Sequence, residues 1–372
     1  MRACLCVVLA LPLWLLPLHA DDGPKAAAKK LETERKARQK KNKRANEQLA
    51  ARLSEALAPH EKDLSGAVLV CKDGVPLYRA AFGMADRDGE RKNTLDTLFD
   101  TGSVTKPFTA TAVLKLRMQR KLALEDRLDK HFKKVPDDKA GITIHQLLSH
   151  TSGISRQYTF QGVDTTDRAA SVVYLLSLPL SSKPGEKFEY SNANYFLAAA
   201  IVELASGTGF EDYCRRHLFQ PAGLVDTGFT GEKGLDAKRS ARRYEGGEDR
   251  GDMADYAYSW SFRGATGVVS TAEDMIRWSD ALLGDGVLDR DARAKLFEPV
   301  RDDYACGWYV MTTRGGQVKQ CHSGAAAGAR CYFARVEEVD AAYVILLNDC
   351  SQGSLLEFTL SNAIDAVLFD GR

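Results

Sequence analysis

The hydrophobic pattern divides the chain into strands, then helices, then strands with a closing helix. Ala67-Val68-Leu69-Val70 is a short apolar run, Asp73-Gly74 signals a tight turn, and a second strand follows to about Phe82. From Ser103 the period changes. Phe108, Ala112 and Leu116 recur at spacing four, and Leu114 and Met118 form a second row, which predicts a buried central helix. The pattern stays mostly helical to about Ser261, and the nearly all-apolar run Asn194 to Leu204 predicts another buried helix. After Gly264 a helix near 272–283 leads to strands at about 305–312, 317–322, 329–336 and 341–348. Leu356, Leu360, Ala363, Ile364 and Val367 close the chain at helical spacing. The simplest assembly pairs the first hairpin with the late strands in one antiparallel sheet flanked by helices. The central residues then form an inserted all-α lobe, with a cleft between the two parts.

Two segments fall outside this frame. Arg2 followed by the almost wholly apolar stretch Leu5 to Leu18, with the small residue Ala20 before Asp21-Asp22, predicts a signal peptide over 1–20, cleavage near Ala20 and an exported, periplasmic or secreted protein. The competing reading is an uncleaved anchor. Residues 21–60 predict a basic, charged helix or tether, in which Leu49, Leu53 and Leu57 at spacing four could dock on the main domain. Residues 25–44 read first as a solvated face, with weak contact to an anionic envelope as the alternative. The net charge of +1 gives no global field to attract nucleic acid, so none is expected as a partner. Cleavage near Ala20 would leave Cys71, Cys214, Cys306, Cys321, Cys331 and Cys350, and their pairing is open between disulfides and buried thiols.

Candidate chemistry starts at Ser103-Val104-Thr105-Lys106. A serine hydroxyl is a poor nucleophile at neutral pH and needs a base within hydrogen-bond reach. On a helix, positions i and i+3 share a face, so Lys106 lies beside Ser103. Thr101-Gly102 can start that helix and Pro107 is tolerated in its first turn, which places Ser103 near a helix N-terminus where negative charge is favoured. The tetrad alone is weak evidence, because S-x-x-K arises often by chance. His145 and His150 are not spaced i,i+4 and no histidine cluster is evident, so no metal is expected. His150, beside a Ser-Gly turn, reads as a structural residue that satisfies loop backbone.

Three further stretches occur in order: Leu147-Leu148-Ser149-His150-Thr151-Ser152-Gly153-Ile154, Pro184-Gly185-Glu186-Lys187-Phe188-Glu189-Tyr190-Ser191-Asn192, and His322-Ser323-Gly324 at the end of an expected strand. With the tetrad they resemble the serine β-lactamase and penicillin-binding-protein superfamily, in its class C β-lactamase-related branch. That branch includes D-alanyl-D-alanine carboxypeptidases, D-aminopeptidases and esterases. The resemblance spans roughly 62–368, and the domain is taken as 61–368. It implies an α+β fold of the β-lactamase/transpeptidase type, with an α/β lobe at about 61–100 and 264–368 and a helical lobe at about 101–263. It also implies an exported serine hydrolase working through an acyl-enzyme on an amide, ester or β-lactam carbonyl, with no cofactor.

By the same resemblance Ser103 attacks the carbonyl, and Lys106 and Tyr190 share the base work, with the acylation base left open between them. An ammonium at Lys106 would favour a Tyr190 phenolate or pass protons through it. Asn192 would bind a substrate amide or orient Lys106. His322, Ser323, Gly324 and Ala325 would form the substrate-holding strand, and the N–H groups of Ser103 and Ala325 the oxyanion hole. Tyr256, Tyr258, Trp260 and Phe262 either line an acyl pocket or pack a loop. One departure matters: most true β-lactamases carry Lys-Thr-Gly where this chain has His322-Ser323-Gly324. A largely neutral imidazole favours peptidase or esterase work on a small-molecule or peptide substrate over efficient β-lactam hydrolysis. Arg330 is a candidate replacement for the missing charge. The alternative function is a catalytically inactive envelope-binding or sensor protein.

Overall fold

A computed structural model describes residues 23–232, 234–255, 258–351 and 355–370. The expected signal peptide at 1–20 and Tyr256 lie outside the described residues. The frame is a six-stranded antiparallel sheet. Its strands are β1 (Gly66–Lys72), β2 (Val75–Phe82), β3 (Tyr309–Thr312), β4 (Val318–Ala326), β5 (Ala329–Val336) and β6 (Ala341–Leu347), in the order β3-β4-β5-β6-β1-β2. The first hairpin therefore joins the late strands through β1 and β6, with Gly66 opposite Leu347 and Lys72 opposite Ala341.

Both faces of this sheet are covered, which explains why β1 and β6 read as continuous apolar runs rather than alternating ones. Ala67, Leu69, Phe333, Val344 and Leu346 face the larger core, which holds α2 (Thr105–Met118), α3 (Ile144–Leu148), α4 (Asn192–Ser206) and α5 (Ala272–Ala281). Phe108 of α2 stacks on Trp278 of α5 at 4.5 Å between ring centroids. Val68, Val70, Tyr343 and Ile345 face the opposite layer, formed by α1 (Gly23–Leu57) and α6 (Leu356–Phe369). Two boundaries differ from the sequence expectation. The stretch 305–308 is a turn rather than strand, and β4 runs on to Ala326, so His322-Ser323-Gly324 lies within a strand and not at its end.

The basic segment is a docked helix rather than a tether. Leu53 and Leu57 are buried against Leu360, Ile364 and Val367 of α6. Upstream, the Arg35 guanidinium forks between two carboxylates, with Nη2 to Asp280 Oδ1 at 2.6 Å and to Asp340 Oδ1 at 2.7 Å. Arg38 reaches Asp73 and Asp340, and Asn42 Nδ2 donates to Asp73 Oδ2 at 3.0 Å. Asp73 sits in the β1–β2 turn and Asp340 in the β5–β6 connection, so α1 ties two adjacent sheet ends together. All six described cysteines are free thiols, and Cys214, Cys306, Cys321 and Cys331 are buried.

Leu53→Ala should destabilise the protein by about 2–5 kcal/mol, as expected for a truncated core leucine. Chemical denaturation checks this, and a change below about 0.5 kcal/mol, the range of ordinary surface substitutions, would show that α1 does not pack in solution.

Candidate active site

Ser103 sits in a single tight turn, Gly102–Val104, that leads directly into α2. This turn is held from two sides. Asp100 Oδ1 accepts from the Gly102 N–H at 2.8 Å, and the buried Arg243 donates to Asp100 Oδ2 at 3.1 Å. Thr101 Oγ1 donates to Val268 O at 2.8 Å, and Val268 N donates to Thr105 Oγ1 at 3.0 Å. The segment after the helical lobe is thereby laced to the first turn of α2.

The turn also presses against β4. A methyl group on Gly324 would lie 2.0 Å from Thr101 O, and one on Gly102, whose φ is +52°, would lie 2.6 Å from Ala325 N. Only two glycines permit this approach, which brings the N–H groups of Ser103 and Ala325 to one locality. β3 pairs with Val318–Cys321, so among the described residues His322–Ala326 has no strand neighbour on that side. The open edge lies beside the serine, where an extended substrate could add as a strand.

Lys106 is fully buried one helical turn from the serine. Its Nζ lies 3.0 Å from Ser103 Oγ and donates to Ala265 O at 3.0 Å. Burial pushes the Lys106 amine well below the ordinary lysine range, because a desolvated ammonium loses its hydration. Tyr190 arrives from the loop before α4, with its phenol close enough to Ser103 to be influenced by that hydroxyl. The Lys106 amine lies over the Tyr190 ring face, 4.8 Å from the centroid. Burial raises the Tyr190 phenol above the ordinary range, a shift that the hydrogen bond to Ser103 only partly opposes. The expected phenolate beside an ammonium is therefore not what this interior favours. Desolvation disfavours the ammonium and the phenolate alike.

The third motif is neutral as well. His322 is 1% exposed. Its Nδ1 lies 2.6 Å from Ser323 O and its Nε2 lies 3.2 Å from the Tyr304 hydroxyl. With Nδ1–H donating to that carbonyl, Nε2 is the acceptor from Tyr304. Burial, followed by the proximity of Lys106, pushes the imidazole down to about 3. His322 is thus part of the floor beneath Tyr190, with ring centroids 6.1 Å apart, and presents no cation to a substrate. Arg330 does not replace it: the guanidinium donates to Ala326 O and Ala329 O, both at 2.9 Å, and faces Glu245 at 4.0 Å.

Asn192 opens α4, and the Lys106 amine is engaged by Ser103 and Ala265 rather than by Asn192. The Asn192 Oδ1 is buried and, among the described residues, has no hydrogen-bond partner. Ser323 is half-buried and Ala325 exposed on the open edge. His150 is buried under the site. Its Nδ1 accepts from Ser191 N at 3.2 Å, and its ring packs 4.3 Å from that of Tyr190. Trp260 and Tyr258 pack a loop around Arg263 rather than lining the serine, while Phe262 is partly exposed. Sequence reasoning missed Tyr195, Tyr304, Tyr158 and Asp100. Tyr195 and Tyr304 complete the ring cage around His150. Their only sequence signal was aromatic character at otherwise apolar positions.

Most of the chain is similar to known proteins. The family model described as Beta-lactamase matches residues 47–356. Penicillin-binding protein 4* of Bacillus subtilis (strain 168) is 28% identical over 330 residues, covering 82% of this chain and 72% of that protein. Esterase EstB of Burkholderia gladioli is 32% identical, over 63% of this chain and 70% of the esterase. The crystal structure of a penicillin binding protein from Bacillus halodurans superposes with a TM-score of 0.73 at 25% identity, covering 85% of this chain and all of that one.

Gly324→Ala should lower the rate of covalent labelling at Ser103 by about 10²–10³, the worth of a displaced oxyanion donor, and should also lower the melting temperature, because its Cβ would meet Thr101 O at 2.0 Å. A labelling rate within about twofold of wild type would show that the contact between Thr101 and β4 does not set the reactive geometry. A match spanning most of the chain, on a fold with the serine, lysine and tyrosine gathered at one cleft, carries one conclusion: this chain belongs to the β-lactamase family of serine hydrolases.

Proposed function

We propose that the protein hydrolyses a neutral amide or ester through an acyl-enzyme on Ser103, with the neutral amine of Lys106 as the acylation base. The observation that carries this reading is the buried Lys106 Nζ at 3.0 Å from Ser103 Oγ. An amine already deprotonated can accept the serine proton without first losing one of its own. One of its N–H groups is held by Ala265 O.

The steps balance as follows. Ser103 Oγ bonds to the carbonyl carbon while its proton passes to Lys106 Nζ. The N–H groups of Ser103 and Ala325 hold the resulting oxyanion. The carbonyl–heteroatom bond then breaks, and the Tyr190 phenol, within reach of Ser103, hands a proton to the departing group and is reprotonated from Lys106. Water attacks the ester in the second half, its proton enters the same relay, and Ser103 leaves with its hydroxyl restored. The transient ammonium is stabilised by Ala265 O and by the faces of Tyr190 and Tyr195, at 4.8 and 5.6 Å.

Substrate preference follows from the charges absent from the cleft. A carboxylate-bearing lactam or peptide would meet a neutral His322 and an Arg330 already engaged with carbonyls and Glu245. Tyr158 packs on Phe160 and Phe196, an aromatic wall for an apolar side chain. A neutral aminoacyl amide or an aryl ester fits this site better than an anionic antibiotic does.

Ser103→Ala should remove both turnover of a p-nitrophenyl ester and the mass adduct from a fluorophosphonate, with an unchanged melting temperature. Retained turnover in that variant would refute the assignment. The pH dependence tests the base. Because the Lys106 amine is lowered, acylation should fall as pH drops through its depressed value and be flat above it, well before pH 10.5, the ordinary lysine value. The raised Tyr190 should leave that plateau intact through pH 10. A rate still climbing tenfold per unit at pH 10, the slope of an ordinary amine still titrating, would instead make an unperturbed lysine or a phenolate the base.

A further inference from the structure

Charge in this chain is segregated by sequence and then by structure. Residues 23–44 contain ten basic and two acidic residues, a net of +8, while the whole chain carries +1, which leaves −7 for everything else. The family match begins at residue 47, so this segment lies outside it. On α1 the inward and outward cations behave differently. The inward ones are arginines matched to carboxylates: Arg35 to Asp280 and Asp340, Arg38 to Asp73 and Asp340. The outward ones are mostly lysines. Glu34 and Glu32 are taken by Lys30 and Lys36. Lys40, Lys41, Lys43 and Arg44 are exposed and, among the described residues, have no carboxylate within ion-pair distance.

Part of this face has a second character. A groove of about 510 Å³ runs between α1 and the start of β2. Lys36, Lys40 and Lys43, spaced i, i+4 and i+7 on one side of the helix, outnumber the single acid Glu47 on its charged rim, and Val75, Pro76 and Leu77 form its floor. Asn46, 7% exposed, lines the same groove with an Oδ1 that has no hydrogen-bond partner among the described residues. A cationic rim over an apolar floor complements a phosphate headgroup joined to a hydrocarbon chain. A soluble polyanion would use the rim and gain nothing from the floor.

The placement is also suitable. The basic half of α1 is pinned to Asp73 and Asp340, at the end of the sheet where β4 begins: Val318 N donates to Glu338 Oε1 at 3.2 Å. Gly324 and Ala325, against the serine turn, lie toward the other end of β4. A surface touching α1 therefore leaves the cleft facing away from it. Among the described residues no helix is long and apolar enough to cross a membrane, so contact through α1 is peripheral.

We propose that the outward face of α1 docks the protein on an anionic lipid bilayer, with headgroup phosphates at Lys36, Lys40 and Lys43 and the adjoining hydrocarbon on Val75, Pro76 and Leu77. This holds whatever reaction the cleft performs. The test is co-sedimentation of the full chain with vesicles of phosphatidylcholine alone or with phosphatidylglycerol added, at low and high salt. Wild type should bind the anionic vesicles and be released by salt. The triple variant Lys36→Gln, Lys40→Gln, Lys43→Gln should bind them at least about tenfold more weakly, while keeping its melting temperature and its fluorophosphonate labelling. Pro76→Asp should weaken vesicle binding but leave binding of soluble polyphosphate unchanged. Equal binding to both vesicle types, or a folded triple variant that binds as wild type does, overturns the proposal. So does a Pro76→Asp variant with unaltered vesicle binding, which would assign the face to polyanions in general.

Discussion

The structure depends on one buried amine. Lys106 is taken out of water at the start of α2 and held between the hydroxyl of Ser103 and the carbonyl of Ala265. Burial does two things at once. It removes the hydration that would keep the ammonium charged, and it fixes Nζ within a hydrogen bond of the nucleophile. Both require α2 to be the central helix of the larger core, with Phe108 stacked on Trp278 and Thr105 and Thr109 bonded to the segment 264–268. Packing that serves stability thus also shifts the titration of this amine downward.

The neutral character extends beyond the lysine. His150 and His322 are buried with the half-buried Tyr190 packed against them, and desolvation disfavours the charged form of each. His150 touches Tyr190, Tyr195 and Tyr304, and the last bonds to His322. The second and third motifs thereby meet through rings rather than ions. A site built this way discriminates by shape and hydrogen bonding more than by charge, which is why the replacement of a lysine by His322 bears on substrate class.

Cationic charge is instead concentrated on α1, which uses arginines toward the sheet ends and lysines toward solvent. The fork of Arg35 across Asp280 and Asp340 suits the planar guanidinium, which can satisfy two carboxylates at once. It also joins the β5–β6 connection to α5, so the helix braces the sheet at the end away from the serine.

Much of this was legible in the chain. The helix periods, the Asp73-Gly74 turn, the late strand meander and the order of the motifs were local features, and local features are written in sequence. Leu49, Leu53 and Leu57 likewise foretold a docked second half of α1. Four things were not legible. The basic half of α1 looked solvated because its partners, Asp280 and Asp340, lie far away in the chain. Whether Lys106 or Tyr190 is the better base depends on desolvation, which no spacing encodes. His322 and Arg330 looked like candidate cations until the fold buried one and engaged the other. Asp100 and Tyr304, which hold the serine turn and the imidazole, carried no motif at all. The sequence by itself determined which elements form and which chemical groups are present. The tertiary structure alone decided which of those groups lose water and which keep a charge, because solvation is a property of neighbours brought together by folding and not of neighbours along the chain.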